Sequence, residues 1–286
     1  MKNHHANIAR LTGALALAFS ASVQATLVNG IVDTWTVDVS TVFDTSTICD
    51  SNNDCTSPTG VTVVNNQSLR WGDSTGFGQS GLDISASPSS TNVATNGAAI
   101  NNVAITHLNR PITGTTLKSL DILSTLILTP FAPPGGAMAP ALISFKVHYL
   151  ETPNGASPCA DGGANGSGVN SAGCADIYVT DAQSLNFKFN YDLDGPGGPL
   201  QNQEYFISFF ESTHGLNALS AAACGAVGVA APCLGFETPE GADTTVHFAA
   251  LITTEPVTIK VPEPSTLLLG GLGIAGLARV RRNSHG

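Results

Sequence analysis

The sequence predicts an all-β fold: an antiparallel β-sandwich, jelly-roll-like, forming a single domain. Three observations carry that prediction. Charged residues make up 11% of the 286 residues while hydrophobic ones make up 42%; an average soluble protein carries roughly 25% charged residues, so polarity here comes from Ser, Thr, Asn and Gly. Apolar and polar residues alternate with period two in segment after segment, the spacing that gives a strand one buried face. Stretches rich in Gly, Pro, Asn and Ser separate those segments as turns do. The composition excludes a coiled coil or helical bundle, which would be rich in Glu, Lys and Arg. It also argues against a nucleic-acid binder, because 11 Lys+Arg stand against 21 Asp+Glu for a net charge of −10.

In chain order, the first segment places Ile31, Trp35, Val37, Val39 and Phe43 on one face, with Asp33 as the polar exception. Strand candidates follow at 61–71, 81–85, 101–108 and 116–129. The last has a spacing that a helix would tolerate, but Thr113-Gly114 before it and Thr129-Pro130 after it bound it as a strand. Ile143, Phe145, Val147 and Tyr149 alternate with Ser144, Lys146 and His148. After a candidate at 176–180, Leu185, Phe187, Phe189 and Tyr191 alternate with Asn186, Lys188 and Asn190. Candidates at 204–211, 245–252 and 256–261 complete the set, and 44–60, 86–99, 130–140, 152–173, 193–203 and 213–243 read as loops. Strands of this number and length suit a sandwich. No fixed-period repeat and no linker divides the body.

The two ends read as addresses. Residues 1–25 have the three parts of a secretory signal peptide: Lys2 and Arg10, an apolar run from Leu11 to Phe19, and Val23-Gln24-Ala25 as a signal-peptidase site. At the other end, Pro262, Glu263 and Pro264 precede an apolar, glycine-dotted run from Ser265 to Ala278, followed by Arg279, Arg281 and Arg282. As a helix that run would span about 21 Å, short of the roughly 30 Å of a bilayer core, which makes it a short anchor helix. The trailing arginines would stay cytoplasmic and leave everything before Pro262 outside. This organisation predicts a signal peptide at 1–25, an exported β domain at 26–260 and a sorting segment at 261–286. Residues 26–262 hold 6 Lys+Arg and 20 Asp+Glu, so the exported part carries 6 − 20 = −14.

The segment from Val261 to Arg282 resembles the PEP-CTERM sorting signal, the C-terminal tag of exosortase substrates in Gram-negative bacteria. The resemblance implies export, transient retention in the inner membrane, processing near Pro262-Glu263-Pro264 by an exosortase, and release to the cell surface or extracellular matrix. Families with this tag are associated with bacteria that make exopolysaccharide and biofilm.

All six cysteines, Cys49, Cys55, Cys159, Cys174, Cys224 and Cys233, lie in the exported part, where disulfides persist. Six cysteines allow 15 connectivities. Their clustering suggests local bridges Cys49–Cys55, Cys159–Cys174 and Cys224–Cys233. Asp50, Asn52 and Asp54 repeat the spacing that opens an EF-type loop and are the candidate calcium ligands, should the protein take a cofactor. Cys55 stands where such a loop needs Gly, so this is not an EF-hand.

The most distinctive local string is Thr106-His107-Leu108-Asn109-Arg110-Pro111, at the end of a strand candidate. With Arg70-Trp71-Gly72, Gln79-Ser80-Gly81-Leu82, Leu150-Glu151-Thr152-Pro153-Asn154, Cys174-Ala175-Asp176-Ile177-Tyr178 and Cys233-Leu234-Gly235-Phe236-Glu237-Thr238-Pro239-Glu240, it resembles the THxN family of PEP-CTERM proteins. One departure is Tyr178, where the family pattern leads one to expect Phe. The family brings no known activity to carry over. Physically, Thr106, His107 and Asn109 beside a turn are suited to fixing backbone. The functional alternative pairs His107 with Glu151 or Asp176 for acid–base work.

Trp71 is the candidate aromatic contact for a sugar. His148, His214 and His247 form no HxxxH or HExxH, and the chain has neither GxSxG nor a P-loop. The sequence therefore predicts an exported, non-enzymatic structural or adhesive component of the biofilm or exopolysaccharide matrix. The alternatives are a carbohydrate-binding module for exopolysaccharide and a hydrolase using His107 with a carboxylate.

Overall fold

The computed structural model describes residues 30–257 apart from 181–184, 196–197, 199–201 and 214. The expected signal peptide at 1–25 and sorting segment at 261–286 lie outside the described residues, as does most of the strand candidate 256–261. The elements in chain order begin with β1 (Thr34–Asp50), β2 (Val61–Asn65), β3 (Ser68–Trp71), β4 (Asp73–Ser74), β5 (Ser80–Ser85) and β6 (Ser89–Ala94). There follow β7 (Ile100–Leu108), β8 (Ile112–Thr113), β9 (Leu117–Ala132), β10 (Ala141–Leu150), β11 (Asp176–Thr180) and β12 (Leu185–Tyr191). The rest are β13 (Gln203–Glu211), β14 (Asn217–Ala218), helix α1 (Ala221–Ala226), β15 (Leu234–Thr238) and β16 (Asp243–Thr253).

Two seven-stranded sheets pack face to face, ordered β14-β15-β11-β10-β9-β1-β6 and β12-β13-β16-β7-β5-β3-β2. Every paired neighbour runs antiparallel. In β1 the alternation read from sequence is the alternation of burial, whereas in β12 Phe187 is exposed. Trp35, Val37, Val39 and Phe43 of β1 are all buried, and Leu120, Ile122, Leu126 and Leu128 of β9 face the same core. β9 is a strand because it is clamped on both sides, by β1 from Asp50↔Leu117 to Thr34↔Ala132 and by β10 from His148↔Ser119 to Ala141↔Leu126.

The core has two lobes along the sandwich. One centres on Trp35, which meets Phe189, Tyr191 and Tyr205 edge-on at ring-centroid distances of 5.3, 5.3 and 5.1 Å. The other holds Leu69, Trp71, Leu82, Ile105, Leu120, Ile122 and Tyr149. A smaller apolar cluster lies outside the first sheet, where α1 covers Ile177 and Val179 of β11. Ser220 caps α1 by accepting the Ala223 amide at 2.9 Å. The disulfides join Cys49–Cys55, Cys159–Cys174 and Cys224–Cys233, the local pairs that clustering suggests.

Four stretches differ from their sequence reading. β1 continues through 44–50, where Cys49 and Asp50 still pair with Ser119 and Leu117 of β9. Segment 61–71 is a hairpin, β2 and β3, rather than one strand. The expected loops 86–99 and 213–243 contain β6, β14, α1 and β15; β6, with Val93 its one buried apolar residue, is a strand because β1 pairs with it.

Candidate functional site

The residues quoted for the THxN string and its companions, far apart in sequence, converge at one end of the sandwich. His107 sits on β7 in one sheet, with Trp71 beside it on β3; Tyr149 of β10, Asp176 of β11 and Thr238 of β15 come from the other. Period two decides which residues enter. His107 points inward at 0% exposure, while Thr106 next to it turns outward and bonds Thr245 Oγ1 across β16 at 2.8 Å.

The imidazole is held at both nitrogens, Nδ1 to Thr238 Oγ1 at 2.8 Å and Nε2 to Tyr149 OH at 2.9 Å. The Tyr149 hydroxyl also lies against Asp176 Oδ2, and is 3.0 Å from Glu151 Oε2. Trp71 Nε1 donates to Glu151 Oε2 at 2.9 Å, and its indole stacks on the imidazole at 5.9 Å with planes 9° apart. Asp176 Oδ1 accepts the Thr152 amide at 2.9 Å. Asn109 is also fully enclosed: its amide nitrogen donates to the Thr238 carbonyl at 2.9 Å and its backbone N–H to Ala242 at 3.0 Å. Arg110 closes the outside, bound to Asp243 at 2.7 Å and to the Asn109 carbonyl at 2.8 Å. Ser80 ties the strand end down through the Arg110 amide at 3.1 Å.

Burial sets the charges. It pulls His107 down to about 3, with the Arg110 charge adding to the effect, so the ring is neutral. Burial, reinforced by the charge of Glu151, pushes Asp176 well above the usual carboxylate range. Burial also raises Glu151, against the pull of its hydrogen bonds from Trp71 and Tyr149. The 3.7 Å between His107 Nε2 and Asp176 Oδ2 is therefore not an ion pair. Two tautomers satisfy the imidazole; in one of them Thr238 Oγ–H donates to Nδ1, Nε2–H to the Tyr149 oxygen, and Tyr149 O–H to a carboxylate oxygen. The acid proton is then shared between Asp176 and Glu151.

Such a cluster pins two sheets together. A neutral, fully enclosed imidazole with so low a pKa is a weak base, and its neighbours occupy both nitrogens. A groove of about 450 Å³ opens nearby, lined by Asp161, Ser220, Phe236, Glu237 and Thr244 among others. His107, Tyr149, Glu151 and Asp176 do not line it.

The other sequence candidates fall elsewhere. Trp71, expected as a sugar contact, is 0% exposed; its ring belongs to the clasp and offers no platform. Asp50 is turned inward and its carboxylate accepts the amides of Asn52, Asp54 and Thr59 at 2.9, 3.0 and 2.9 Å. Those bonds, Thr59 foremost, hold its pKa below the usual value. Asp54 in turn accepts the amides of Thr56 and Ser57. Among the described residues no three His, Cys, Asp or Glu side chains form a metal-binding group. Sequence reasoning placed Tyr149 only as a core strand residue and gave Thr238 and Ser80 no role, because nothing local marks an inward polar side chain as one that meets His107.

Pro262, Glu263, Pro264, Arg279, Arg281 and Arg282 lie outside the described residues. A search of curated proteins finds no match. A family model described as the PEP-CTERM protein-sorting motif matches residues 260–282. The motif indicates that the chain is an exported, exosortase-sorted protein, membrane-anchored at its C-terminus during sorting.

Proposed function

We propose that the exported body is a non-enzymatic structural or adhesive component of the extracellular matrix, and that it is a THxN-type domain. The observation that supports the reading is the enclosure of the one concentration of catalytic residue types among the described residues. His107, Tyr149 and Asp176 are between 0 and 2% exposed and spend their hydrogen bonds on one another and on Thr238, Glu151 and Thr152. The THxN kinship gains support from the convergence of Trp71, His107, Asn109, Glu151, Asp176 and Thr238, which turns scattered strings into one physical unit. The test fractionates producing cells with and without the gene and assays the purified chain beside His107→Gln in a broad hydrolase screen. The expected result is recovery with the matrix, loss of matrix cohesion without the gene, and no hydrolysis by either protein. Turnover by the native chain that His107→Gln abolishes would overturn the non-enzymatic reading. Retention on the producer's polysaccharide without any effect on cohesion would favour a carbohydrate-binding module, with contacts other than Trp71.

A further inference from the structure

The sorting motif ties the C-terminus to a membrane, and the fold determines which end of the body that tether presents. β16 ends at Thr253, and the chain leaving it is stapled to the β6–β7 loop. Asn96 N–H donates to the Ile252 carbonyl at 2.8 Å, and Thr254 N–H donates to Asn96 Oδ1 at 3.0 Å. The first described residues arrive at the same place, with Asp33 N–H bonded to the Ala132 carbonyl and Thr95 N–H to the Asp33 carbonyl, both at 2.8 Å. One end of the sandwich thus carries the C-terminal exit, the start of β1, the β6–β7 loop and the β9–β10 hairpin. The clasp and Phe77 lie at the opposite end, where Asp243 pairs with Leu108 and Trp71 with Ser80.

From Val257 to Ser265 is 265 − 257 = 8 residues, a reach of at most about 28 Å. The 16-residue β9 is about 50 Å long. The exit end is therefore the one the tether holds nearest the bilayer. The β9–β10 hairpin and the β6–β7 loop at that end are short of charge. Residues 131–142, from Phe131 through Pro133, Pro134, Met138 and Pro140 to Leu142, contain no Asp, Glu, Lys or Arg, and neither do residues 94–103. The exported part otherwise carries −14. Phe131 is 56% exposed and Leu142 80%. Phe131, Thr129, Ile127 and Thr125 share the outer face of β9, and Leu142 stands opposite Thr125.

We infer that the β9–β10 hairpin, led by Phe131, is a membrane-contacting surface that rests in the boundary of the bilayer while the C-terminal segment is still anchored. Its partner is a neutral lipid surface. Asp33, Asp192 and Glu255 lie beside the same end and repel anionic headgroups, whereas an uncharged hairpin with an exposed aromatic side chain partitions at the acyl–headgroup boundary. The inference rests on the C-terminal anchoring that the motif indicates and not on the matrix role.

Trp35 and Trp71 are both 0% exposed, so an added surface tryptophan reports its own surroundings. The full chain, purified from membranes with its C-terminus intact, is reconstituted in neutral phosphatidylcholine vesicles with or without bromine on the acyl chains. Three single variants are compared: Phe131→Trp, Leu142→Trp and, at the far end, Phe77→Trp, which replaces a 72% exposed side chain. Bromolipid is expected to remove most of the added emission of Phe131→Trp, less of that of Leu142→Trp and none of that of Phe77→Trp. Anionic vesicles should weaken the effect. If the chain floats with the vesicles but the Phe131→Trp emission is untouched, the contact is refuted while the anchoring stands; docking of the hairpin on a protein partner would give that result. Equal quenching at both ends would refute the orientation. Failure to float would overturn the anchoring and the inference together.

Discussion

Replacing His107 by Gln tests whether the clasp is closed to water. The substitution removes an imidazole bonded to Thr238 and Tyr149 and stacked on Trp71, and installs an amide that does not titrate. At pH 7 it should cost about 2–4 kcal/mol, from two hydrogen bonds worth about 1 kcal/mol each and a buried partner left unpaired. Lowering the pH reverses the comparison. The folded ring is held down to about 3 while the unfolded ring takes its proton near 6.5. Between those values the unfolded state binds more protons, so native stability falls as pH falls, and the loss is complete below about 3. At about 1.4 kcal/mol per pH unit over some three and a half units, the native protein loses roughly 5 kcal/mol that the variant keeps. Asp176 and Glu151 act in the opposite sense, losing stability as pH rises, but both proteins carry them and they largely cancel in the difference. Urea unfolding at a series of pH values, followed by tryptophan fluorescence, should show the native advantage at pH 7 closing and then inverting between about pH 5 and pH 3.5. An advantage that stays constant with pH would mean that His107 titrates as in water, and the closed clasp would be wrong.

Asp176→Asn mimics the protonated acid, so its melting temperature should gain on the native protein as pH rises above the ordinary carboxylate range, because the raised pKa of Asp176 makes its ionisation destabilising there; a gap independent of pH would show Asp176 to be ionised in the fold. Tyr178→Phe removes a buried hydroxyl that has no hydrogen-bonding partner among the described residues; calorimetry should show a gain of about 1 kcal/mol, or about 2–4 °C in a domain of this size. Replacing Cys159 and Cys174 by Ser opens a loop of sequence separation 15 and should cost about 3 kcal/mol by chemical denaturation. Asp50→Ala strands the amides of Asn52, Asp54 and Thr59 and should lower the melting temperature, while the native protein should melt alike in EDTA and in millimolar calcium; a rise with calcium would restore Asp50, Asn52 and Asp54 as ligands.

Period-two alternation was enough to read β12 at Leu185–Tyr191 to the residue, because alternating apolar and polar side chains announce a strand within a few residues; the candidate at 176–180 also matches β11, although all five of its residues are buried. Local cysteine spacing likewise anticipated the three bridges, since each closes a short loop. β6 was not legible: Ser89-Ser90-Thr91-Asn92-Val93-Ala94 looks like a turn, and it is extended because β1 supplies its hydrogen bonds. The hairpin at 61–71 was not legible either, since Asn66-Gln67 interrupts an otherwise continuous extended pattern.

The clasp divides the two kinds of information most clearly. Composition, alternation and the C-terminal motif together specify an exported antiparallel sandwich, because each depends on residues close in the chain. That His107, Tyr149, Asp176 and Glu151 join in one hydrogen-bond network, and that Trp71 is sealed among them, depends on the register of β7, β10, β11 and β3 in two different sheets. The same long-range packing places Phe131 at the chain's exit and Phe77 at the far end. Pairing across 27 to 131 residues of sequence separation leaves no periodicity to read, and desolvation, which sets the charge of every group in the clasp, exists only once the sheets have closed.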